Sequence, residues 1–172
     1  MIKIKKSFKI SEDQRQNISF RIALFQPEIP ANTGNIGRLC VGANAELHII
    51  KPMRFLLSDK YLKRAGLDYW KDLSLHFHDS LEDLKKAYPD NDIYYCTTKS
   101  ENNLYERKFK AGDIFMFGPE TRGIPESILK KNWNKTITIP MSDKIRSINL
   151  ANSVAIVLYE GIRQILFDRN ND

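Results

Sequence analysis

The chain has 172 residues, 42% of them hydrophobic and 28% charged, which suits one globular domain and excludes a wholly disordered or fibrous protein. Lys and Arg outnumber Asp and Glu by 27 to 21, and the resulting net charge of +6 favours a polyanionic partner. No apolar run approaches the roughly 20 residues that span a membrane, and no secretory signal follows the basic start. We therefore expect a soluble, cytoplasmic protein.

The two cysteines, Cys40 and Cys96, lie far apart in apolar segments. The sequence contains no CxxC pair and no histidine at zinc-site spacing, so we interpret both as buried free thiols and expect no metal. Free thiols fit a reducing cytoplasm.

The sequence of the first half of the chain predicts a flexible arm followed by a βαβ unit. Residues 1–19 are polar and basic and predict a loose arm, and residues 20–172 predict a single domain. A β-rich run at 20–25 is followed by a loop rich in Pro, Gly and Asn, a helix at 36–44 and a second strand at 46–51. Such a unit places the loop after its first strand at the carboxyl edge of a parallel sheet.

The second half continues the alternation of strands and helices. Helices are predicted at 59–66, from 80 to just before Pro89, from about 125, and over an apolar segment that ends near 167. Strands are predicted at 73–77, 92–98, 114–117 and 136–141, with a polar loop at 102–110. The pattern predicts an α/β fold with a mostly parallel sheet flanked by helices.

Standard nucleotide and hydrolase signatures are absent: the sequence has no GxGxxG after the first strand and no GxxxxGK[ST], HExxH or GxSxG. The three histidines lie within or beside strands and are interpreted as structural or surface residues. The remaining candidate site is polar and suits an anionic or hydroxylated ligand; its members are Asn32, Arg38, Glu120, Ser147 and Asn149.

Three stretches carry a resemblance to a known family. They read PEIPANTGNIGR at 27–38, FGPETRGIP at 117–125 and IPMSDKIRSINLANSVA at 139–155. In order and spacing they resemble the three motifs of the SPOUT superfamily of RNA methyltransferases, and most closely the small tRNA (cytidine/uridine-34)-2′-O-methyltransferases. The resemblance implies a deep C-terminal trefoil knot, S-adenosylmethionine bound in that knot, and a homodimer whose active site uses both subunits.

The resemblance also implies roles for individual residues. Arg38 is the main catalytic candidate, accompanied by Asn32, Glu120, Ser147 and Asn149. A guanidinium keeps its proton, so we expect Arg38 to orient the ribose hydroxyl and a phosphate rather than to act as a base. The segments expected to wrap the cofactor carry Thr98, Phe117, Gly118, Glu120, Ile139, Met141, Ile148 and Leu150.

The expected partner is tRNA, contacted near its anticodon stem-loop. Aromatic and basic side chains that could stack on bases or meet the backbone are Tyr69, Trp70, Lys71, Tyr105, Arg107 and Lys108. The last helix has an apolar face that predicts a dimer interface: Val154, Val157, Leu158, Ile162, Ile165 and Leu166. Tyr159 and Arg163, a turn apart, are equally candidates for dimer or RNA contacts.

Three alternatives remain open from the sequence. A non-catalytic RNA-binding or assembly protein could keep the same fold, although its motif residues would not need to be intact. The methylated RNA could be another species, such as rRNA. A small-molecule methyltransferase is disfavoured by the basic charge.

Overall fold

A computed structural model describes residues 9–55 and 68–167 of the chain. These residues contain one parallel sheet of six strands: β1 (Arg21–Phe25), β2 (Glu46–Ile50), β3 (Leu75–His78), β4 (Ile93–Cys96), β5 (Ile114–Phe117) and β6 (Thr136–Ile137). The α-helices are α1 (Glu12–Ile18), α2 (Pro30–Ala43), α3 (Leu81–Ala87), α4 (Glu126–Lys131) and α5 (Leu150–Phe167). The predicted α/β class is confirmed, and the helix predicted at 59–66 lies outside the described residues.

The strand order is β3-β2-β1-β5-β4-β6. β1 and β5 are neighbours, but the chain continues from β1 toward β2 on one side and from β5 toward β6 on the other. Connections that diverge from adjacent parallel strands leave a crevice at the carboxyl ends of those strands, where α/β folds bind ligands. The fold therefore places the loop after β1 against the loop after β5.

The central strands of the sheet are buried on both faces. Along β5, Phe115 and Phe117 pack toward α2 and α5, whereas Ile114 and Met116 pack toward α3 and α4. This explains the uninterrupted apolar run of β5, since a strand that is covered on both sides has no solvent-facing positions. β6 ends at Ile137, four residues before the predicted end of that strand.

The predicted arm contains an element that the sequence did not reveal. Residues 12–18 form α1, which begins with a capping box: the Gln14 amide donates to Ser11 Oγ and the Ser11 amide donates to Gln14 Oε1. Ile18 is fully buried and α1 packs against α5. The prediction of a loose arm is thus wrong for residues 12–18, while residues 1–8 lie outside the described part of the chain.

α2 begins six residues earlier than predicted, at Pro30. Proline suits the first helical turn because that turn leaves its backbone N–H groups without intrahelical partners. The helix ends at Ala43, and the C-cap residue Asn44 has a left-handed φ of 54°. Asn32 and Arg38 consequently lie on one helix, where a separation of six residues turns their side chains about 120° apart. Their side chains therefore do not point to the same side of α2.

The apolar face of α5 packs into the core of the chain itself. Val154, Val157, Leu158 and Ile162 are all buried, so the prediction that they form a dimer interface is wrong for these four residues. Within residues 9–55 and 68–167, α5 is the one helix whose length and composition would allow it to span a membrane. Seven of its 18 residues are buried, and it packs against α2, α1 and β5.

The histidines form a cluster on β2 and β3, away from the site predicted from sequence. His48 is fully buried and lies 3.1 Å from Glu46 Oε2 through Nε2 and 2.9 Å from His78 Nε2 through Nδ1. Because a carboxylate only accepts, His48 donates through Nε2 and accepts through Nδ1. Burial lowers the pKa of His48 to about 4.

Glu46, His48 and His76 could each offer a metal ligand atom, and these atoms lie within 4.8 Å of one another. Their geometry does not suit a cation, however. The rings of His48 and His76 stack at 4.7 Å with an interplanar angle of 13°, so their lone pairs point along parallel planes. Arg21 already neutralises Glu46 through an ion pair of 3.1 Å. We interpret the cluster as structural.

The lowered pKa of His48 predicts loss of stability in mild acid. The unfolded chain takes up a proton near pH 6.5 and the folded chain only near pH 4, so the free energy of unfolding falls as pH drops through that window, by about 3 kcal/mol. Urea unfolding from pH 7 to 4 should show this fall in the wild type and a smaller one in His48→Gln. Equal falls would contradict it. The charged or titratable groups that face His48 are Arg21, Glu46, His76, His78 and Tyr88.

Candidate active site

A cleft of about 480 Å³ opens at the carboxyl edge of the sheet. Four segments line it: residues 96–99 after β4, 117–124 after β5, 137–139 with Met141 after β6, and 146–150 before α5. Asn32 of α2 closes one side. The segments that follow several strands thus meet at one cleft, as expected from the diverging connections of β1 and β5.

The cleft collects nearly all of the residues predicted from sequence. Every residue expected to wrap the cofactor lines it: Thr98, Phe117, Gly118, Glu120, Ile139, Met141, Ile148 and Leu150. Four of the five catalytic candidates do so as well: Asn32, Glu120, Ser147 and Asn149. The fifth, Arg38, does not.

A chain of hydrogen bonds connects the three sequence motifs across the cleft. Asn32 is buried, donates through Nδ2 to Glu120 Oε1 at 3.3 Å, and accepts through Oδ1 from Asn149 Nδ2 at 3.2 Å. Asn149 Oδ1 in turn accepts the amides of Ala151 and Asn152, which makes Asn149 the N-cap of α5. One buried amide therefore fixes the loop after β5 relative to the start of α5.

Two glutamates exchange hydrogen bonds between the loops that follow β1 and β5. The Glu120 carboxylate accepts the amides of Glu28 at 2.8 Å and Ile29 at 3.1 Å, just before α2. Glu28 Oε2 accepts from Thr121 Oγ1 at 2.6 Å and from the Thr121 amide at 3.2 Å. The hydroxyl of Thr121 is the main influence that lowers the pKa of Glu28, with its amide, Arg54 and Arg122 contributing less, against an opposing effect of burial. We call this pair of contacts the carboxylate exchange.

Gly118 is required by the tightness of the turn after β5. A Cβ atom at this position would lie 2.2 Å from the backbone of Gly123 and Ile124. Gly123 itself has a φ of 67°, which favours glycine, but a Cβ there would meet nothing within 4 Å. The absence of a side chain at Gly118 therefore lets the two ends of the turn pack directly against each other.

The turn gives a testable difference between its two glycines. Gly118→Ala forces the backbone of the turn apart, so we expect the free energy of unfolding to fall by about 3 kcal/mol and the melting temperature by roughly 6–12 °C. Gly123→Ala, the matched control, should cost only about 1–2 kcal/mol because the strain is confined to φ. Differential scanning fluorimetry measures both. An equal loss in the two variants would show that the close approach does not govern stability.

Arg38 is exposed on α2, outside the cleft of its own chain. Its guanidinium carbon lies 5.8 Å from the centre of the Tyr69 ring, and the Tyr69 hydroxyl donates to the carbonyl of Gly34. Trp70 packs against α2 where a Cβ on Gly37 would come within 2.8 Å of the ring. Tyr69 and Trp70 thus pack on α2, while Tyr105, the third aromatic candidate for RNA stacking, is 57% exposed.

Several residues in or beside the cleft were not proposed as site residues from the sequence. Glu28 lies inside the first motif, but its role depends on Thr121, 93 residues away, which no local pattern indicates. Arg122 and Arg146 line the cleft. Cys40 is buried, as predicted, with a pKa raised to about 12 by burial; Cys96 is only partly buried and borders the cleft.

Comparison with known proteins fits this geometry. A model of the SpoU rRNA Methylase family matches residues 19–159, which include all three motifs and every segment of the cleft. The chain belongs to the SpoU methylase family.

Individual members of the SpoU family are similar over most of the chain. The tRNA (cytidine(34)-2'-O)-methyltransferase of Methylovorus glucosotrophus is 45% identical over 146 residues, covering 84% of this chain and 95% of that protein. The protein of the same name from Aeromonas hydrophila is 43% identical over 145 residues, covering 84% and 93%. The alignments therefore cover most of this chain and nearly the whole of each relative.

Solved structures of SpoU relatives share the fold. One that concerns the 2-OH methylation of C/U34 on tRNA is 42% identical and superposes with a TM-score of 0.79, covering 85% of this chain and 95% of the other. An AdoMet-bound rRNA methyltransferase from Sinorhizobium meliloti has a TM-score of 0.74 at 19% identity, covering 89% and 60%, and shows the likeness of fold alone.

Proposed function

We propose that the chain is an S-adenosylmethionine-dependent methyltransferase that modifies a ribose 2′-oxygen of tRNA at nucleotide 34. The observation that carries the proposal is the cleft itself, in which Asn32 connects the motif residues Glu120 and Asn149 by hydrogen bonds. Relatives at 43–45% identity that are named for this reaction support the substrate, and they favour tRNA over rRNA. A protein that had lost catalysis would not need to retain this network.

The residues of the cleft fit S-adenosylmethionine. The cleft volume of about 480 Å³ lies within the range for small-molecule sites. Apolar side chains that line the cleft, including Ile139, Met141 and Leu150, suit the adenine ring. Residues 117–124 line the same cleft, and their backbone N–H and C=O groups suit the polar atoms of the cofactor. Bound there, the cofactor would supply an electrophilic methyl group.

The protein's own task is to position the ribose hydroxyl in line with that methyl group. Ser147 and Asn149 border the cleft and carry donors and acceptors for a hydroxylated ligand. The forked guanidinium of Arg38 suits simultaneous contact with the ribose oxygen and a neighbouring phosphate. The hydroxyl proton then passes to phosphate or to water, because Arg38 does not give up its own proton.

We propose a homodimer in which Arg38 of one protomer serves the cleft of its partner. Arg38 is exposed and lies outside its own cleft, which supports a role across an interface. We also propose that the C-terminal part forms a trefoil knot. The return of the segment between β6 and α5 to a cleft lined by the loops after β4 and β5 supports this topology.

Two measurements test the proposed function. S-adenosylmethionine at 100 times its dissociation constant should stabilise the protein by about 2.7 kcal/mol, seen as a raised melting temperature. Mapping of 2′-O-methylation in tRNA and rRNA, from cells with and without the gene, should show loss at tRNA nucleotide 34 alone. Loss at an rRNA position would assign the other substrate, and no thermal shift would remove the cofactor from the proposal.

A further inference from the structure

The carboxylate exchange leaves one oxygen of Glu28 without a hydrogen bond. The Glu28 side chain is only 7% exposed, and its Oε2 is satisfied by Thr121. Its Oε1 is buried and has no hydrogen-bond partner. A buried carboxylate oxygen without a partner is costly, so a positive charge is expected close by.

Two guanidinium groups supply that charge. Arg54, from the segment after β2, approaches Glu28 Oε1 to 3.8 Å, and Arg122, from the turn after β5, approaches it to 3.6 Å. Both distances exceed those of a hydrogen bond, so the pairing is electrostatic and leaves the donors of both groups available. The arginine side chains are 69% and 55% exposed.

The charge balance of this group favours an anion. Glu28, Arg54 and Arg122 together carry a net charge of +1. The neighbouring Glu120 carboxylate is already bound by the backbone amides of Glu28 and Ile29 and by the Asn32 side chain. Thr121 holds the Glu28 carboxylate in place through two hydrogen bonds. Because both arginine side chains are mostly exposed, their guanidinium groups can bind a ligand from solvent. Two neighbouring guanidinium groups match the spread oxygens of one phosphate.

We infer that Arg54 and Arg122, held by Glu28, bind a phosphate of the RNA backbone at the mouth of the cleft. The inference rests on the proposed function and adds to it an interaction that fixes the RNA strand relative to the reacting ribose. Phosphate contacts position a nucleic acid without reading its sequence. The pair is separate from Arg38, which lies on α2.

The carboxylate of the cofactor is the other anion that this charge could serve. Arg122 lines the cleft, but Arg54 does not. A pair with only one member at the cleft wall is better placed for a ligand that extends out of the cleft, as an RNA strand does. Binding of an RNA phosphate and binding of the cofactor carboxylate differ in their dependence on salt and on the cofactor, so an experiment can distinguish them.

The test compares the full-length double variant Arg54→Ala/Arg122→Ala with the wild type. Dissociation constants for tRNA, measured by fluorescence anisotropy from 50 to 300 mM salt, give a slope of log affinity against log salt. We expect the double variant to lower this slope by about 0.7 for each phosphate charge that is no longer neutralised, and to leave the affinity for S-adenosylmethionine within about twofold.

Two further variants serve as controls. Arg54→Lys/Arg122→Lys keeps both charges, so the salt slope should return while affinity recovers only in part, because an ammonium lacks the planar fork. Lys85→Ala/Lys86→Ala removes two charges from the last turn of α3, which does not border the cleft, and should leave the slope unchanged. The lysine variant also keeps the test valid if the alanine variant does not fold.

The outcomes are distinguishable. An unchanged slope in the alanine variant of an enzyme that still methylates tRNA overturns the phosphate interaction and leaves the proposed function standing. A large loss of cofactor affinity with an unchanged slope assigns the pair to the cofactor and also overturns it. A wild-type protein that neither binds nor methylates tRNA overturns both.

Discussion

Arg38→Ala should lower the single-turnover rate of methyl transfer by about 10²- to 10³-fold, the cost of removing one donor that acts in the transition state. Binding of S-adenosylmethionine should remain almost unchanged, because Arg38 lies outside the cleft that holds the proposed cofactor site. Arg38→Lys should also fail, since an ammonium cannot make the forked contact. Rapid-quench assays at saturating tRNA and calorimetry with the cofactor provide the two readouts.

Subunit mixing sharpens this prediction. If Arg38 serves the partner's cleft, co-expression of Arg38→Ala with a variant whose cleft is inactive should produce mixed dimers with one complete site. Activity should then recover to about a quarter of the wild-type level, since about half of the dimers are mixed and each has one of two sites. No recovery in isolated mixed dimers would place Arg38 and the cleft in the same protomer. Near-normal transfer by Arg38→Ala alone would instead shift the catalytic role to Ser147 and Asn149.

The second large effect is expected at Asn32. Asn32→Asp replaces the amide that donates to Glu120 with a carboxylate of the same shape, so two negative charges would face each other across 3.3 Å in a buried position. We expect a loss of about 3 kcal/mol or more in the free energy of unfolding at neutral pH, and collapse of cofactor binding. Asn32→Ala should cost less, because it leaves Glu120 paired with the amides of Glu28 and Ile29.

Two features separate this mechanism from a general loss of packing. The new carboxyl holds a proton more readily beside Glu120, so the deficit of Asn32→Asp should shrink as pH falls from 7 to 5, whereas that of Asn32→Ala should not. The double variant Asn32→Asp/Glu120→Gln again pairs one donor with one acceptor. Its loss in the free energy of unfolding should therefore be smaller than the sum of the losses in the two single variants. A double variant with merely additive losses would show that the two side chains do not interact.

Patterns of apolar residues were sufficient to predict the sheet but not all of the helices. The six strands were found because buried parallel strands are continuous apolar runs, as in Ile114–Phe117. α1 was missed because its one buried residue, Ile18, gives no periodic signal, and its stability comes from the Ser11 capping box and from packing on α5. The start of α2 was placed too late because Asn32, Gly34 and Asn35 are typical of loops, and tertiary contacts override that preference.

The residues that line the cleft could be predicted from the sequence better than the contacts between them. Motif resemblance placed Glu120, Ser147 and Asn149, and the structure brings them to one cleft with Asn32. Hydrogen bonds between residues some 90 or 120 positions apart, such as Glu28 with Thr121 or Asn32 with Asn149, depend on the strand order and have no local signature. The same holds for the position of Arg38, which follows from where α2 begins.

The two roles of the Asn149 side chain limit which residues the fold tolerates at this position. Its Oδ1 caps α5 while its Nδ2 donates to Asn32, so the position needs an acceptor and a donor on one short side chain. Aspartate would cap the helix but has no hydrogen to give; serine and threonine cap well but carry a single hydroxyl on a shorter stem. In a saturation mutagenesis screen, residues that are interchangeable at an ordinary helix start would not be so here, and asparagine alone would satisfy both the helix and the cleft.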